Sequence, residues 1–266
     1  MIKKRIFTSL SLILFTAIVI VIDWLASLAI IFFATIALNE FFTMIEKKGI
    51  EIFKYFGLGV GLTILLSVSL RFELTRGWEL LLISFALLSL ILSQFRRRQN
   101  TGVIIGLSTT IFGIFYIPWF MSFLIKIRYL DYGAGLLATV VSITKVGDIG
   151  AYLVGSRFGQ HALISRISPN KTREGFFGAI LFSLLAALAV KFLMPPIFSY
   201  LHLLILGLFL GIVGQLGDLS ESLMKRDCAV KDSGNIFPGL GGALDSIDSL
   251  LFTAPVFYFW VLHFTK

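Results

Sequence analysis

Along this chain apolar and polar positions do not alternate; long apolar runs are broken by short polar clusters. A helix that crosses a hydrocarbon core of about 30 Å needs about 20 mostly apolar residues. Laid along the sequence, that ruler predicts spanning helices near 6–22, 24–43, 53–70, 78–95, 103–125, 134–154, 175–193, 202–224 and 243–264. The first two touch at Asp23, and Pro118 is placed to break the fifth. The expected fold class is an all-α, polytopic integral membrane protein of about nine transmembrane helices with a cytoplasmic N-terminus. Met1-Ile-Lys-Lys-Arg followed by apolar residues looks like a signal peptide. The apolar run nevertheless continues through Ala26-Ser27-Leu28-Ala29 without a polar mature segment, and so reads as an uncleaved first helix.

Composition removes the soluble alternative. Of 266 residues 57% are hydrophobic and only 14% charged, with a mean hydropathy of +0.93, too few polar side chains to cover a soluble surface. The net charge of +8 raises the question of nucleic acid, but the basic residues lie in short clusters between apolar runs and form no recognisable binding module, so no nucleic-acid partner is expected. Their distribution is topogenic. With the N-terminus inside, cytoplasmic loops hold Lys3, Lys4, Arg5, Lys47, Lys48, Arg96, Arg97, Arg98, Arg157, Arg166, Lys171, Arg173, Lys225, Arg226 and Lys231; the other side holds Arg71, Arg76, Lys126, Arg128 and Lys266. Fifteen against five places both polar loops of the C-terminal half, 155–174 and 225–242, where a soluble nucleotide reaches them. Near Arg128 to Gly133 the character changes. Residues 1–132 read as membrane-anchoring helices and 133–266 as the domain that carries chemistry. The lone Cys228 excludes an internal disulfide framework and offers no metal-ligand spacing.

Three constellations stand out. In 145–159, Lys145 and Asp148 lie three apart on one helix face, where a structural ion pair competes with ligand binding, and Gly147, Gly150 and Gly155 allow close approach. In 165–175, Ser168, Lys171 and Thr172 sit in a polar loop leading to a helix at Gly175, a setting suited to phosphate, although by composition alone topogenic charge is the readier explanation of the basic residues. The third, 211–249, holds six of the chain's fifteen acidic residues. Gln215, Asp218 and Ser222 form one helical stripe and Asp245, Asp248 and Ser249 another, while Gly211, Gly214 and Gly217 permit close packing. Facing stripes would put Asp218, Asp245 and Asp248 in one place, where a divalent cation relieves their repulsion. Mg²⁺ suits a donor set made of oxygens alone. Pro238-Gly239-Leu240-Gly241-Gly242 would turn tightly and offer backbone N–H groups to phosphate. The bland alternative is a set of interhelical polar contacts or an ion pathway.

The string Ser222-x-x-Lys225-Arg226-x-x-x-x-Lys231-Asp232-x-Gly234-x-x-x-Pro238-Gly239-x-Gly241-Gly242-x-x-Asp245-x-x-Asp248-Ser249 resembles the signature of the phosphatidate cytidylyltransferase, or CDP-diglyceride synthase, family. Asp148-x-Gly150-Ala151-Tyr152 and Ser168-Pro169-Asn170-Lys171-Thr172-x-x-Glu174-Gly175 look like two further motifs of that family, in the right order; the likeness spans about 142–249. Leu240 stands where many members have histidine, and Ser246 where many have arginine. The resemblance implies transfer of CMP from CTP to phosphatidate, giving CDP-diacylglycerol and pyrophosphate at the cytoplasmic face of a bacterial inner membrane. It assigns Asp218, Asp245 and Asp248 to Mg²⁺ and Lys225, Arg226 and Lys231 to phosphate charge. Lys171, Thr172, Ser168, Lys145, Asp148, Ser222, Asp232, Gly239, Gly241 and Gly242 would complete the substrate site, and Asp148 would orient Lys145 or hold a second cation. CTP, phosphatidate and the bilayer are the expected partners, and a homodimer is compatible with the sequence. A CTP-dependent lipid kinase and an ion-coupled transporter are the competing readings; the D-G-x-x-A-R run of the CDP-alcohol phosphotransferases is absent.

Leu240→His is expected to retain activity in an assay following label from CTP into lipid; complete loss in folded protein would mean that the turn is packed for leucine.

Overall fold

Among the described residues six helices are long and apolar enough to cross a membrane by length and composition, and their order fixes where the polar ends meet. The computed structural model describes residues 14–71, 78–95, 101–237 and 241–265. Lys3, Lys4, Arg5, Arg76, Arg96, Arg97, Arg98, Pro238, Gly239, Leu240 and Lys266, all singled out in the sequence, lie outside the described residues, as do residues 6–13 of the expected span 6–22. Helix α1 runs Asp23–Lys47, α2 Lys54–Ser69, α3 Trp78–Gln94, α4 Val103–Arg128, α5 Gly133–Phe158, α6 Arg173–Ala189, α7 Tyr200–Asp227 and α8 Ala243–Thr265. Of these α2 and α3 are the short apolar ones, and α6 reaches spanning length through a 3-10 turn, Val190–Leu193.

Two local expectations change. Pro118 does not break α4. The helix widens into a π turn at Phe115–Trp119, which accommodates the missing N–H and the ring clash, and then continues as α-helix from Phe120. The polar loop between α5 and α6 contains a two-stranded antiparallel hairpin, β1 (Ala162–Ile164) and β2 (Ser168–Thr172), with Ala162 opposite Thr172 and Ile164 opposite Ser168. Thr172 then caps α6, its Oγ1 accepting the Gly175 N–H at 3.1 Å, so that helix begins two residues earlier than the glycine alone suggested.

Consecutive helices α5, α6, α7 and α8 pack side by side, and α8 also lies against α1 and the second half of α4. Small residues set the spacing. A Cβ on Gly178 of α6 would come within 2.6 Å of Val154 Cβ on α5, and one on Gly207 of α7 within 2.9 Å of Ala187 on α6. Large apolar side chains such as Phe32, Phe177, Leu181, Leu185, Phe209 and Phe259 point outward, which suits lipid rather than water. The polar ends converge on one face: Lys48 Nζ at the end of α1 lies 2.5 Å from Asp227 Oδ2 at the end of α7, and Arg226 Nε donates to the Ile167 carbonyl of the hairpin at 3.2 Å. Three of the basic clusters assigned to one side by the charge count therefore meet at one end of the bundle.

Gly178→Val is expected to wedge α5 from α6 and to destabilise the protein by about 1–3 kcal/mol, as overpacking does. Thermal unfolding in detergent would show a lowered midpoint; an unchanged midpoint would mean that the helix pair is free to separate.

Candidate active site

At the polar end of the bundle, α7 and α8 touch through backbone. A Cβ on Gly217 would lie 2.6 Å from the Asp248 carbonyl oxygen and 3.2 Å from Ser249 Cα. Because glycine stands there, Asp218 and Glu221 of α7 come up against Asp248 of α8, and one carboxylate oxygen from each lies within 4.8 Å of the others. Glu221 and Asp248 are buried and Asp218 half-buried. Glu221 Oε2 pairs with the ammonium of Lys225, and the same buried carboxyl also lies within reach of the Asp245 carboxylate.

Three lysines from three elements surround the triad. Lys171 reaches from β2 to Asp218 Oδ1 at 2.7 Å and donates to Ser222 Oγ at 2.9 Å. Lys225, one turn beyond Glu221, pairs with it and with Asp245 Oδ1 at 2.6 Å. Lys145 of α5 donates to Asp148 Oδ2 at 3.1 Å and to Ser249 Oγ at 3.0 Å, and that hydroxyl donates to Asp148 at 2.8 Å. Thus Asp148, Asp218, Glu221, Asp245 and Asp248 face Lys145, Lys171 and Lys225, a formal excess of two negative charges. Tyr116, on the π turn of α4, stacks on Phe112 at 5.2 Å between centroids and turns edge-on to Phe252 at 6.2 Å. Its buried hydroxyl accepts and donates no hydrogen bond among the described residues and lies within electrostatic reach of Asp248, Glu221 and Asp218.

The structure thus brings together Asp218, Asp248, Lys225, Lys171, Lys145, Asp148 and Ser222. Asp245 stands one step aside from the triad. Its Oδ2 accepts from the N–H of Ser233 at 2.9 Å, the hydroxyl of Ser233 at 2.8 Å and the N–H of Gly242 at 2.7 Å, while Oδ1 holds Lys225. The place given to Asp245 beside Asp218 and Asp248 is taken by Glu221, which sits one turn along the Asp218 helix face; that three-residue spacing was the available signal. The glycine turn closes as expected at its base, where Phe237 and Gly241 exchange hydrogen bonds of 2.9 and 3.1 Å, and Gly241 needs its φ of +103°. The N–H groups of Gly241 and Gly242 are engaged by Phe237 and Asp245, so here they shape the turn and are not free for phosphate. Gly239 lies outside the described residues. Thr172 is occupied as a helix cap, Ser168 opens β2, Arg226 turns to the hairpin, and Lys231 and Asp232 are exposed on the loop.

Sequence reasoning also missed Glu40. This buried carboxylate of α1 accepts from the N–H groups of Ala243 and Leu244 at 3.1 and 2.9 Å and from Ser233 Oγ at 3.1 Å. A solitary acid within the apolar run 24–43 was the cue.

A bundle of membrane-length helices with carboxylates and lysines gathered at one polar end defines a membrane protein with a densely charged, partly buried site. The chain belongs to the cytidylyltransferase family, whose model matches residues 3–264. It is 36% identical to the phosphatidate cytidylyltransferase of Bacillus subtilis (strain 168) over 265 residues, covering 99% of this chain and 98% of the relative. It is likewise 36% identical to that of Synechocystis sp. over 270 residues, with 90% and 89% covered. A shorter match, 47% over 114 residues and covering 43% and 44%, joins it to the phosphatidate cytidylyltransferase of Staphylococcus epidermidis.

Removing one partner of a buried ion pair leaves the other uncompensated, which costs about 3–5 kcal/mol. Lys225→Met leaves both Glu221 and Asp245 in that state, so its unfolding midpoint measured in EDTA should fall well below wild type. An equal midpoint would mean that water reaches both carboxylates.

Proposed function

We propose that this protein is a phosphatidate cytidylyltransferase, transferring CMP from CTP to phosphatidate to give CDP-diacylglycerol and pyrophosphate. The observation that carries the proposal is the triad of Asp218, Glu221 and Asp248 ringed by Lys145, Lys171 and Lys225, in a chain of the cytidylyltransferase family. An oxygen of the lipid phosphomonoester attacks the α-phosphorus of CTP, the bond between that phosphorus and the bridging oxygen to the β-phosphate breaks, and pyrophosphate leaves with the bond's electron pair. The second pKa of such a phosphomonoester is about 6, so the attacking oxygen is already ionised near neutrality and needs no general base. What the protein must supply is alignment and positive charge.

Mg²⁺ fits the triad on three grounds: the donors are all oxygens, the buried Glu221 Oε1 takes no hydrogen bond from a donor among the described residues, and the surrounding charge is short by two. Asp218, Glu221 and Asp248 would hold it, with Asp148 placed to serve a second cation. When bound, the ion supplies neutralisation of phosphate charge. Lys171 and Lys225 are each held by a carboxylate, and a triphosphate arriving at the site offers their ammonium groups stronger acceptors. Lys145 is anchored by Asp148 and Ser249, which fixes its ammonium beside Asp248. Asp245 keeps Lys225 aimed. The polar end of the bundle would face the cytoplasm of the bacterial inner membrane, as the charge bias indicates, with acyl chains entering laterally between helices.

The test is a detergent assay with labelled CTP, phosphatidate and Mg²⁺, following label into the organic phase. Wild type should yield labelled lipid and equimolar pyrophosphate, EDTA should abolish both, and Asp245→Asn, Asp248→Asn and Glu221→Gln should each lower turnover on the order of a hundredfold or more. Unlabelled lipid from folded protein would overturn the reaction; release of CDP in its place would make the protein a CTP-dependent kinase. EDTA-resistant labelling would overturn the metal.

A further inference from the structure

The reaction as drawn uses nothing from the N-terminal helices, yet Glu40 of α1 is buried against the loop that precedes α8. The first N–H groups of any helix lack intrahelical acceptors, and the usual remedy is a side-chain oxygen on the residue before the helix. Before Ala243 stands Gly242, which has no side chain. Glu40 supplies the cap from another helix, taking Ala243 N–H on Oε1 and Leu244 N–H on Oε2, with its negative charge at the positive end of the α8 dipole.

The same carboxylate reaches further. Ser233 Oγ is 3.1 Å from Glu40 Oε2 and 2.8 Å from Asp245 Oδ2, and it accepts from the Asp245 N–H at 3.3 Å, so one hydroxyl proton is shared between two carboxylates. Asp245 in turn holds Lys225, and Lys225 pairs with Glu221 of the triad. An unbroken polar chain therefore runs from α1 to the metal-binding acids. Two glycines make room for it: a Cβ on Gly234 would lie 2.7 Å from Glu40 Cδ, and one on Gly242 2.6 Å from it.

We propose that Glu40 is a positioning residue for the transfer reaction, setting Asp245 and Lys225 against the triad through Ser233 and the first turn of α8. The role rests on the cytidylyltransferase reading above. Charge on departing pyrophosphate grows in the transition state, so a misplaced Lys225 weakens kcat more than substrate binding.

The experiment compares Glu40→Gln, Ser233→Ala, the double variant and, as control, Glu46→Gln, whose carboxylate pairs with Lys54 at the surface. In each, kcat and the KM for CTP are measured, together with hydrogen exchange over 233–247. Glu40→Gln should lower kcat at least tenfold with KM changed less than threefold. Ser233→Ala should do the same, and the double variant should be no worse than twofold below the poorer single. Exchange over 233–247 should quicken in Glu40→Gln and stay at the wild-type rate in the control. A folded Glu40→Gln protein with kcat within twofold of wild type, effects that multiply in the double variant, or unaltered exchange would each overturn the proposal. Should Glu40→Gln not fold, Ser233→Ala decides alone, wild-type kcat in it being fatal to the idea. If wild type itself makes no labelled lipid, the functional reading falls, while exchange still reports whether Glu40 holds the turn.

Discussion

Bringing Asp218, Glu221 and Asp248 within a few ångströms of one another is the constraint to which the rest of the molecule answers. Like charges at that distance, partly withdrawn from water, repel strongly. They are nonetheless forced together by apolar packing of α7 on α8, which comes down to backbone contact because Gly217 carries no side chain. A bulkier residue there would part the helices and disperse the carboxylates. The site is thus made by hydrophobic and close-packing forces acting against electrostatics, and the negative charge left unbalanced is what a cation would satisfy.

The compensation is distributed in a way that explains features otherwise without purpose. Lys171 arrives on a two-stranded hairpin that would be odd in a wholly helical membrane protein, and that hairpin is held at its base by Glu174, which accepts the N–H groups of Gln160 and His161 and lies 2.7 Å from His161 Nδ1. Lys145 comes from the middle of α5, which approaches α6 through Gly150 and Gly178. Lys225 comes from α7 itself and is shared with Asp245. Each lysine is charge-paired before any substrate arrives, so none is a free cation within an apolar setting, where the cost would be large. Exchange of a carboxylate partner for another anion would then require no new desolvation of the lysine.

Placing this machinery at one end of long helices also reconciles water-soluble and lipid substrates. The outward-facing Phe and Leu side chains belong to the same helices whose last or first turns carry the acids. α7, with 28 residues, is about 42 Å long, longer than a hydrocarbon core, so its acidic final turns extend to the interface.

Much of this was legible in the chain alone. Apolar runs of about 20 residues called for spanning helices, in which every backbone group is paired within the segment. The three- and four-residue spacing of Asp218 and Ser222, and of Asp245 and Asp248, places the acids on helix faces, and the glycines announce close packing. Which faces meet was another matter. Periodicity says that Glu221 follows Asp218 around α7, but only the approach of α8 decides that Glu221 joins the triad while Asp245 turns to Ser233 and Gly242. Pro118 read as a breaker because local sequence carries no record of the π turn that tertiary packing sustains. Glu40 lies some two hundred residues from Ala243, and no local pattern links a carboxylate in one helix to the uncapped N–H groups of another. The sequence by itself determined which segments are helices and which of their faces carry charge, because these depend on neighbours three or four residues away. The partners of those charges were decided only in three dimensions, where helices far apart in the chain compete for the same few donors.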